Sequence, residues 1–233
     1  MSLWQRWQWS RLQQLRQRAA EALPDCGAKR CYQRPLPRAG QALSETPLLA
    51  IDLEMTGLAA DRGEIVSFGW VPITPGRRGL QIDLKQAQHV LIESDAVESV
   101  GESATIHGIR DCDRAPGVPL AQGLAALFEA LHDRIAVFHH APLDTAYLDR
   151  ACRKVWQVGW MGPVVDTLAW HRRRQLSQDQ AAAAEVTQLD ALRRWYDLDA
   201  RAAHNALDDA LSCAELVLIL NAEAKPRLGA VAR

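Results

Sequence analysis

From residue 47 onward, the hydrophobic pattern is that of a chain mixing strands and helices. Leu48-Leu49-Ala50-Ile51 is an apolar run of buried-strand length. Asp52-Leu53-Glu54 continues it with alternation, and Thr56-Gly57 breaks it. Residues 64–71 and 89–92 predict two more strands, 135–138 a buried one, and 164–165 a short one. Apolar positions Leu120, Leu124, Leu127, Phe128 and Leu131 recur at helical spacing and predict a helix over 120–131. Further helices are predicted over 143–155, from 168 onward, over 189–196 and over 206–220. Strands first, then strands alternating with helices, predict one α/β domain with a mixed sheet. Residues 181–184 fall in a Gln- and Ser-containing segment that predicts a mobile loop or a loosely held helix start.

The first 46 residues follow a different pattern. Leu12, Leu15, Ala19, Ala22 and Leu23 predict a helix over 3–23, stopped by Pro24. Pro24, Gly27, Pro35, Pro37, Gly40 and Pro47 predict a linker over 24–47 without regular structure. The expected division is therefore a basic, Trp-rich helix and linker over 1–46 lying outside the main core, a domain over 47–221 and a C-terminal tail over 222–233. Charge sharpens the contrast. The chain carries −1 overall, but residues 1–40 carry +6 and the remainder −7. A basic arm on an acidic body either meets something anionic or serves as a solvated tail.

Trp4, Trp7 and Trp9 stand among Arg6, Arg11, Arg16 and Arg18. They suit stacking on single-stranded bases, lying on an anionic membrane surface, or docking on a protein partner or on this chain's own body. Docking spares the cost of exposing three tryptophans. Cys26 and Cys31 lack the second ligand pair of a zinc site. No apolar run is long enough to span a membrane, and the N-terminus lacks the apolar stretch of a signal peptide. The five cysteines, an odd number without an export signal, predict reduced thiols and a cytoplasmic location.

The candidate chemistry lies in the carboxylates. Asp52 and Glu54, at i and i+2 on a strand, point to one face. If that face is buried, their mutual repulsion and desolvation call for an offsetting charge, and a hard divalent cation is the simplest; a solvated strand edge is the alternative. Asp144 follows the buried run 136–138, where a strand gives way to a helix, a common place for a site in an α/β sheet. It also suits a plain helix N-terminal acid. Asp209 lies on or near the apolar stripe of the helix 206–220, and Asp208 is turned toward solvent. His204 precedes that helix and is either a surface residue of the helix start or a general base near neutral pH.

These segments resemble the DEDDh exonucleases, the DnaQ-like family of the RNase T superfamily, which includes the exonuclease domain of the DNA polymerase III epsilon subunit. Residues 51–58 (IDLEMTGL) resemble the first motif, 138–148 (FHHAPLDTAYL) the second, and His204 through Asp209 the third, with its H-x4-D spacing. Residues 104–109 (ATIHGI) and 165–168 (VDTL) add two minor matches, so the resemblance spans about 47–221. In one departure, His140 stands where the family usually has Asn. It is larger and able to take a proton. His139 keeps the family's His and is expected to be structural.

The resemblance implies a ribonuclease H-like fold: a mixed five-stranded sheet flanked by helices, here with an N-terminal helical extension. It implies hydrolysis of phosphodiester bonds from 3′ ends with two Mg2+ or Mn2+ ions, releasing nucleoside 5′-monophosphates. Asp52 would bridge both ions, Glu54 and Asp209 would complete the tighter site, and Asp144 would hold the second ion. His204 would take the proton from the attacking water. Met55, Thr56 and Gly57 are placed at the terminal sugar, Ile106 and His107 at the terminal base, and His140 near the scissile end. Phe138 is a core residue or a wedge at the terminal bases. The run 170–174 (WHRRR) is either a phosphate contact or a solvated face. Single-stranded DNA ends are the favoured partner. RNA 3′-end trimming is the alternative, and a non-catalytic nucleic-acid-binding module is disfavoured by the five filled positions.

Overall fold

The computed structural model describes residues 3–93, 116–178, 185–199, 201 and 205–232. The sheet starts from β1 (Leu48–Met55), which is buried on both faces. Antiparallel β2 (Ile65–Gly76) flanks it on one side. Parallel β5 (Ile135–Phe138) flanks it on the other, and β6 (Val164–Asp166) continues the parallel edge. On the far side of β2 lie β3 (Gly79–Ile82) and β4 (Gln88–Leu91), both antiparallel to it. They pair with different stretches of β2 and so share one position. The sheet is therefore mixed and five strands wide. The sequence pattern shows β4 but not the β2–β3 hairpin, whose turn lies in Gly76-Arg77-Arg78-Gly79, with Gly79 at φ 119°.

Each side of the sheet has its own core. Leu49, Ile51 and Leu53 of β1 pack with α3 (Leu120–Ala130) and α4 (Pro142–Trp156). Leu48 and Ala50 pack against the stripe Ala210, Cys213, Ala214, Val217 and Leu220 of α7 (Ala206–Ala224). Two shorter helices, α5 (Thr167–Ser177) and α6 (Leu189–Trp195), complete that second side. The alternation along β1 thus assigns its odd residues to one layer and its even residues to the other.

The N-terminal arm docks on the chain's own body, one of the expected outcomes, but its place relative to the core differs from expectation. It is part of the first core, not outside it. Ala19, Ala20 and Leu23 of α1 (Leu3–Ala22) are buried there. The predicted linker contains a helix, α2 (Gly27–Gln33), because Ala28, Cys31 and Tyr32 form a buried face between flanking prolines. Tyr32 packs edge-on against Phe128 and accepts from the Met161 N–H at 3.0 Å. Arg30 pairs with Glu129, and Arg34 pairs with Asp133 at 2.8 Å. Trp9 is half-buried and donates to the Pro37 carbonyl at 3.0 Å, whereas Trp7 is exposed beneath Arg11.

The predicted tail also differs. α7 runs on to Ala224, and α8 (Leu228–Val231) folds back with Leu228 and Val231 buried in the second core. Ala42 pairs with Arg227 and Val165 with Ala232 as isolated bridges. Among the described residues, the cysteines are free thiols and no helix is long and apolar enough to cross a membrane.

Candidate active site

Asp52 and Glu54 continue the α7-facing row of β1. Opposite Asp52 on β2 is Gly69, and opposite Glu54 is Ser67. A Cβ on Gly69 would come within 2.1 Å of the Ala206 backbone. The missing side chain is what lets α7 start directly over this part of the sheet. Asn205 caps α7, its side chain accepting from the N–H of Leu207 and Asp208, and places Asp208 and Asp209 in the first turn. Carboxylate oxygens of Asp52, Glu54 and Asp209 then all lie within 4.8 Å of one another. A bulge follows Glu54, so that Met55 pairs with Ile65 and the chain turns away from the sheet.

Asp144 stands outside that trio. It lies in the first turn of α4, at the end of the β5–α4 loop, and is buried. Burial pushes its carboxyl up to about 8 against hydrogen bonds from the Asp144 and Leu53 backbone, with Asp166 and Glu54 raising it further. Burial and the neighbouring Asp209 push Glu54 up to about 7. Asp52 is raised well above the usual carboxylate range, first by desolvation and then by Asp144, Asp209 and Glu54. Without cations, Asp52, Glu54 and Asp144 are all shifted toward their protonated forms.

The residues fit a divalent cation. Glu54 is only 8% exposed, and its Oε1 is buried without a hydrogen-bond partner. The Ser67 hydroxyl directly opposite is also buried and unpartnered. A buried carboxylate oxygen with neither donor nor cation is costly. An all-oxygen ligand set suits Mg2+ or Mn2+ better than a soft metal.

Two supports of the site come from residues given only minor weight in the sequence. Asp166, in the VDTL segment, accepts from the backbone N–H of Leu168 and Ala169 at the start of α5 and of His140 and Ala141 before α4. It joins two helix starts and fixes the loop that carries Asp144. From α4, Tyr147 donates to the Gly57 carbonyl at 2.8 Å, and Arg150 donates to the carbonyls of Ala60 and Gly63. These contacts clamp the loop after β1. Thr56 is committed to Glu64: its hydroxyl accepts from the Glu64 N–H and its N–H donates to the Glu64 carbonyl. Sequence reasoning had no signal for Gly69, since its role depends on what packs above it. His89 on β4, opposite Gly69, was also unmarked and faces the charge of Asp208.

The histidines of the second motif separate cleanly. His139 bonds Thr187 O through Nε2 at 3.1 Å and the Thr167 hydroxyl through Nδ1 at 2.9 Å. A carbonyl only accepts, so Nε2 carries the hydrogen, and burial lowers the ring's pKa. His139 is structural. His140 is exposed, with its backbone at φ 63°. Asn and His are among the residues that tolerate this left-handed region best, so the geometry accounts for either residue there. Phe138 and Trp170 are core residues. Arg173 reaches the Val231 carbonyl, and Arg174 pairs with Glu223. His204, Ile106, His107, the segment 104–109 and the segment 181–184 lie outside the described residues.

The fold and the acidic site define a DnaQ-like nuclease domain. A family model described as Exonuclease (RNase_T) matches residues 49–217, and the chain belongs to that family. Over 183 residues it is 29% identical to a Mycobacterium tuberculosis (strain CDC 1551 / Oshkosh) protein provisionally named a bifunctional exonuclease/endonuclease. Over 178 residues it is 28% identical to the PolC-type DNA polymerase III of Thermotoga maritima. The alignments cover 76% and 75% of this chain but only 26% and 12% of those relatives. Among solved structures, Exonuclease X in complex with 5′-overhanging duplex DNA superposes with TM-score 0.58 at 19% identity, over 78% of this chain and 98% of that one. The nuclease domain of 3′hExo, a DEDDh family member bound to rAMP, superposes with TM-score 0.62 at 12% identity, over 79% and 96%.

Proposed function

We propose that the protein is a metal-dependent 3′→5′ exonuclease acting on single-stranded DNA ends. The observation that carries this reading is the trio Asp52, Glu54 and Asp209 within 4.8 Å, with an orphaned Glu54 oxygen in its midst. Asp52, Glu54 and Asp209 would hold one Mg2+ or Mn2+ ion, and Asp144 would help hold a second. Bound there, the ions would supply Lewis-acid stabilisation of the phosphodiester oxygens and ease deprotonation of water. His204 accepts the proton of the water that attacks the phosphorus. The bond from phosphorus to the 3′ oxygen of the penultimate nucleotide breaks, and a nucleoside 5′-monophosphate leaves. The clamped backbone at Met55, Thr56 and Gly57 receives the terminal sugar, Ile106 and His107 flank the terminal base, and His140 lines the approach.

DNA is favoured by the names of the PolC-type relative and the DNA-bound neighbour. The rAMP-bound neighbour makes RNA trimming the second reading. The test is incubation of 5′-labelled single-stranded DNA and RNA with the protein in Mg2+, Mn2+ or EDTA. The expected result is a ladder shortening from the 3′ end of DNA, lost with EDTA and in Asp52→Ala. Intact substrate under every metal condition overturns the enzyme reading, and preferential shortening of RNA reverses the substrate assignment.

A further inference from the structure

Docking of the arm creates a cleft distinct from the carboxylate site. It has a volume of about 630 Å3 and lies between residues 34–41 of the arm and the start of β5. β5 enters at Ile135, which lines the cleft, and leaves at Phe138 toward Asp144, so the cleft sits at the opposite end of this strand from the carboxylates. Four arginines line it, Arg16, Arg34, Arg38 and Arg134, against one acidic residue, Asp133. Asp133 is already engaged by Arg34.

Arg16 is the telling member. It is 5% exposed, yet it has no carboxylate partner among the described residues. It donates to the carbonyls of Cys31 at 2.6 Å and Met161 at 3.2 Å and lies over the Tyr32 ring, while its Nε is buried and unpartnered. The two carbonyls and the Tyr32 ring offset part of this buried charge, but they bring no net negative charge to it. Arg134 spends its donors on the Ala130 carbonyl and Gln86, and Arg38 is exposed with no described partner.

We propose that this cleft binds the phosphodiester backbone of a polynucleotide at a distance from the 3′ end being processed. Arginine forks match phosphate oxygens bidentately, and contacts of this kind hold a strand without reading its sequence. The arm would then explain its own charge: it supplies Arg16, Arg34 and Arg38 to a site that exists only once it has docked. The proposal rests on the nuclease reading for its choice of ligand.

The test is fluorescence anisotropy in EDTA, where no turnover occurs, so failure of catalysis and failure of the cleft are read separately. The probes are single-stranded DNAs of about six and about twenty-four nucleotides, one within and one beyond the usual single-strand site size. Arg38→Glu with Arg134→Glu is expected to weaken the long probe about tenfold and lower its salt slope by about 1.4. The short probe should change less than about twofold, since a few nucleotides do not span two sites. Arg38→Glu alone, on an exposed side chain, is expected to give a smaller loss of the same kind without disturbing the fold. Unchanged binding of the long probe, equal weakening of both lengths, or equally tight binding of an acidic peptide of matching charge overturns the proposal.

Discussion

Gly69 of β2 lies directly opposite Asp52 of β1, and the space its side chain would fill is occupied by the backbone of Ala206. One residue without a Cβ therefore sets how closely α7, and with it Asp209, approaches the first motif. Gly69→Ala should push the start of α7 off the sheet. The expected cost is about 1–3 kcal/mol of stability from overpacking. A loss of Mn2+ affinity of about tenfold or more should accompany it, as for other lost supports of metal ligands. Calorimetric titration with Mn2+ measures this, and wild-type affinity would show that α7 is not held by that contact.

Asp209→Asn should separate stability from catalysis. The carboxylates raise one another's pKa by repulsion, so removing one charge relieves the rest. The metal-free variant is expected to melt above the wild type, while cleavage falls about a hundredfold or more. A lower melting temperature in EDTA would mean that Asp209 is held by favourable contacts that outweigh the repulsion.

The pH dependence has a definite sign. Glu54 and Asp144 have folded pKa values raised from 4.5 to about 7 and from 3.8 to about 8. A raised carboxyl pKa means that folding takes up protons. The stability these groups contribute is therefore present below their unfolded pKa values and is lost as pH rises through about 7 and about 8. A bound cation replaces the protons. The gain in melting temperature on adding Mg2+ should thus be larger above pH 8 than below pH 7. A gain independent of pH would count against these protonation states.

His140 is predicted to matter through its backbone. At φ 63°, Asn serves as well as His, whereas a β-branched residue is strained. His140→Asn should keep its melting temperature and its rate within about twofold, and His140→Val should lose about 1–2 kcal/mol. A large loss of rate in the Asn variant at normal stability would assign the imidazole a direct role.

Asp166→Ala removes the acceptor for four backbone N–H groups at two helix starts. A single lost cap costs about 1 kcal/mol, so a loss of about 2 kcal/mol is expected here. Asp166→Ala should also slow cleavage, because the loop before Asp144 loses its anchor, and Asp166→Asn, which retains one acceptor oxygen, should recover part of the rate. Thermal melting and initial rates of the two variants measure this.

Much of the domain is legible in the amino-acid sequence because its signals are local. The period of β1, the run 135–138 and the helical stripes follow from side-chain alternation, which needs only neighbours along the chain. The i, i+2 spacing of Asp52 and Glu54 places both on the α7-facing side of β1 for the same reason. The β2–β3 hairpin, the short helix Gly27–Gln33 and Leu228–Val231 escape that reading. Their apolar faces are small and become intelligible only beside the partners that bury them.

The i, i+2 spacing marks Asp52 and Glu54 as candidates, since two carboxylates on one face are costly unless something cationic joins them, and the resemblance of the three motifs adds Asp144 and Asp209. Tertiary packing decides that Asp52, Glu54 and Asp209 meet and that Asp144 stands outside them. It also gives Gly69 and Asp166 their importance, and it turns a basic arm into one wall of a cleft. The physical reason is one of range. Periodicity and capping act over a few residues, whereas a close approach, a shared hydrogen-bond acceptor or an unpaired buried charge is defined by atoms far apart in the chain.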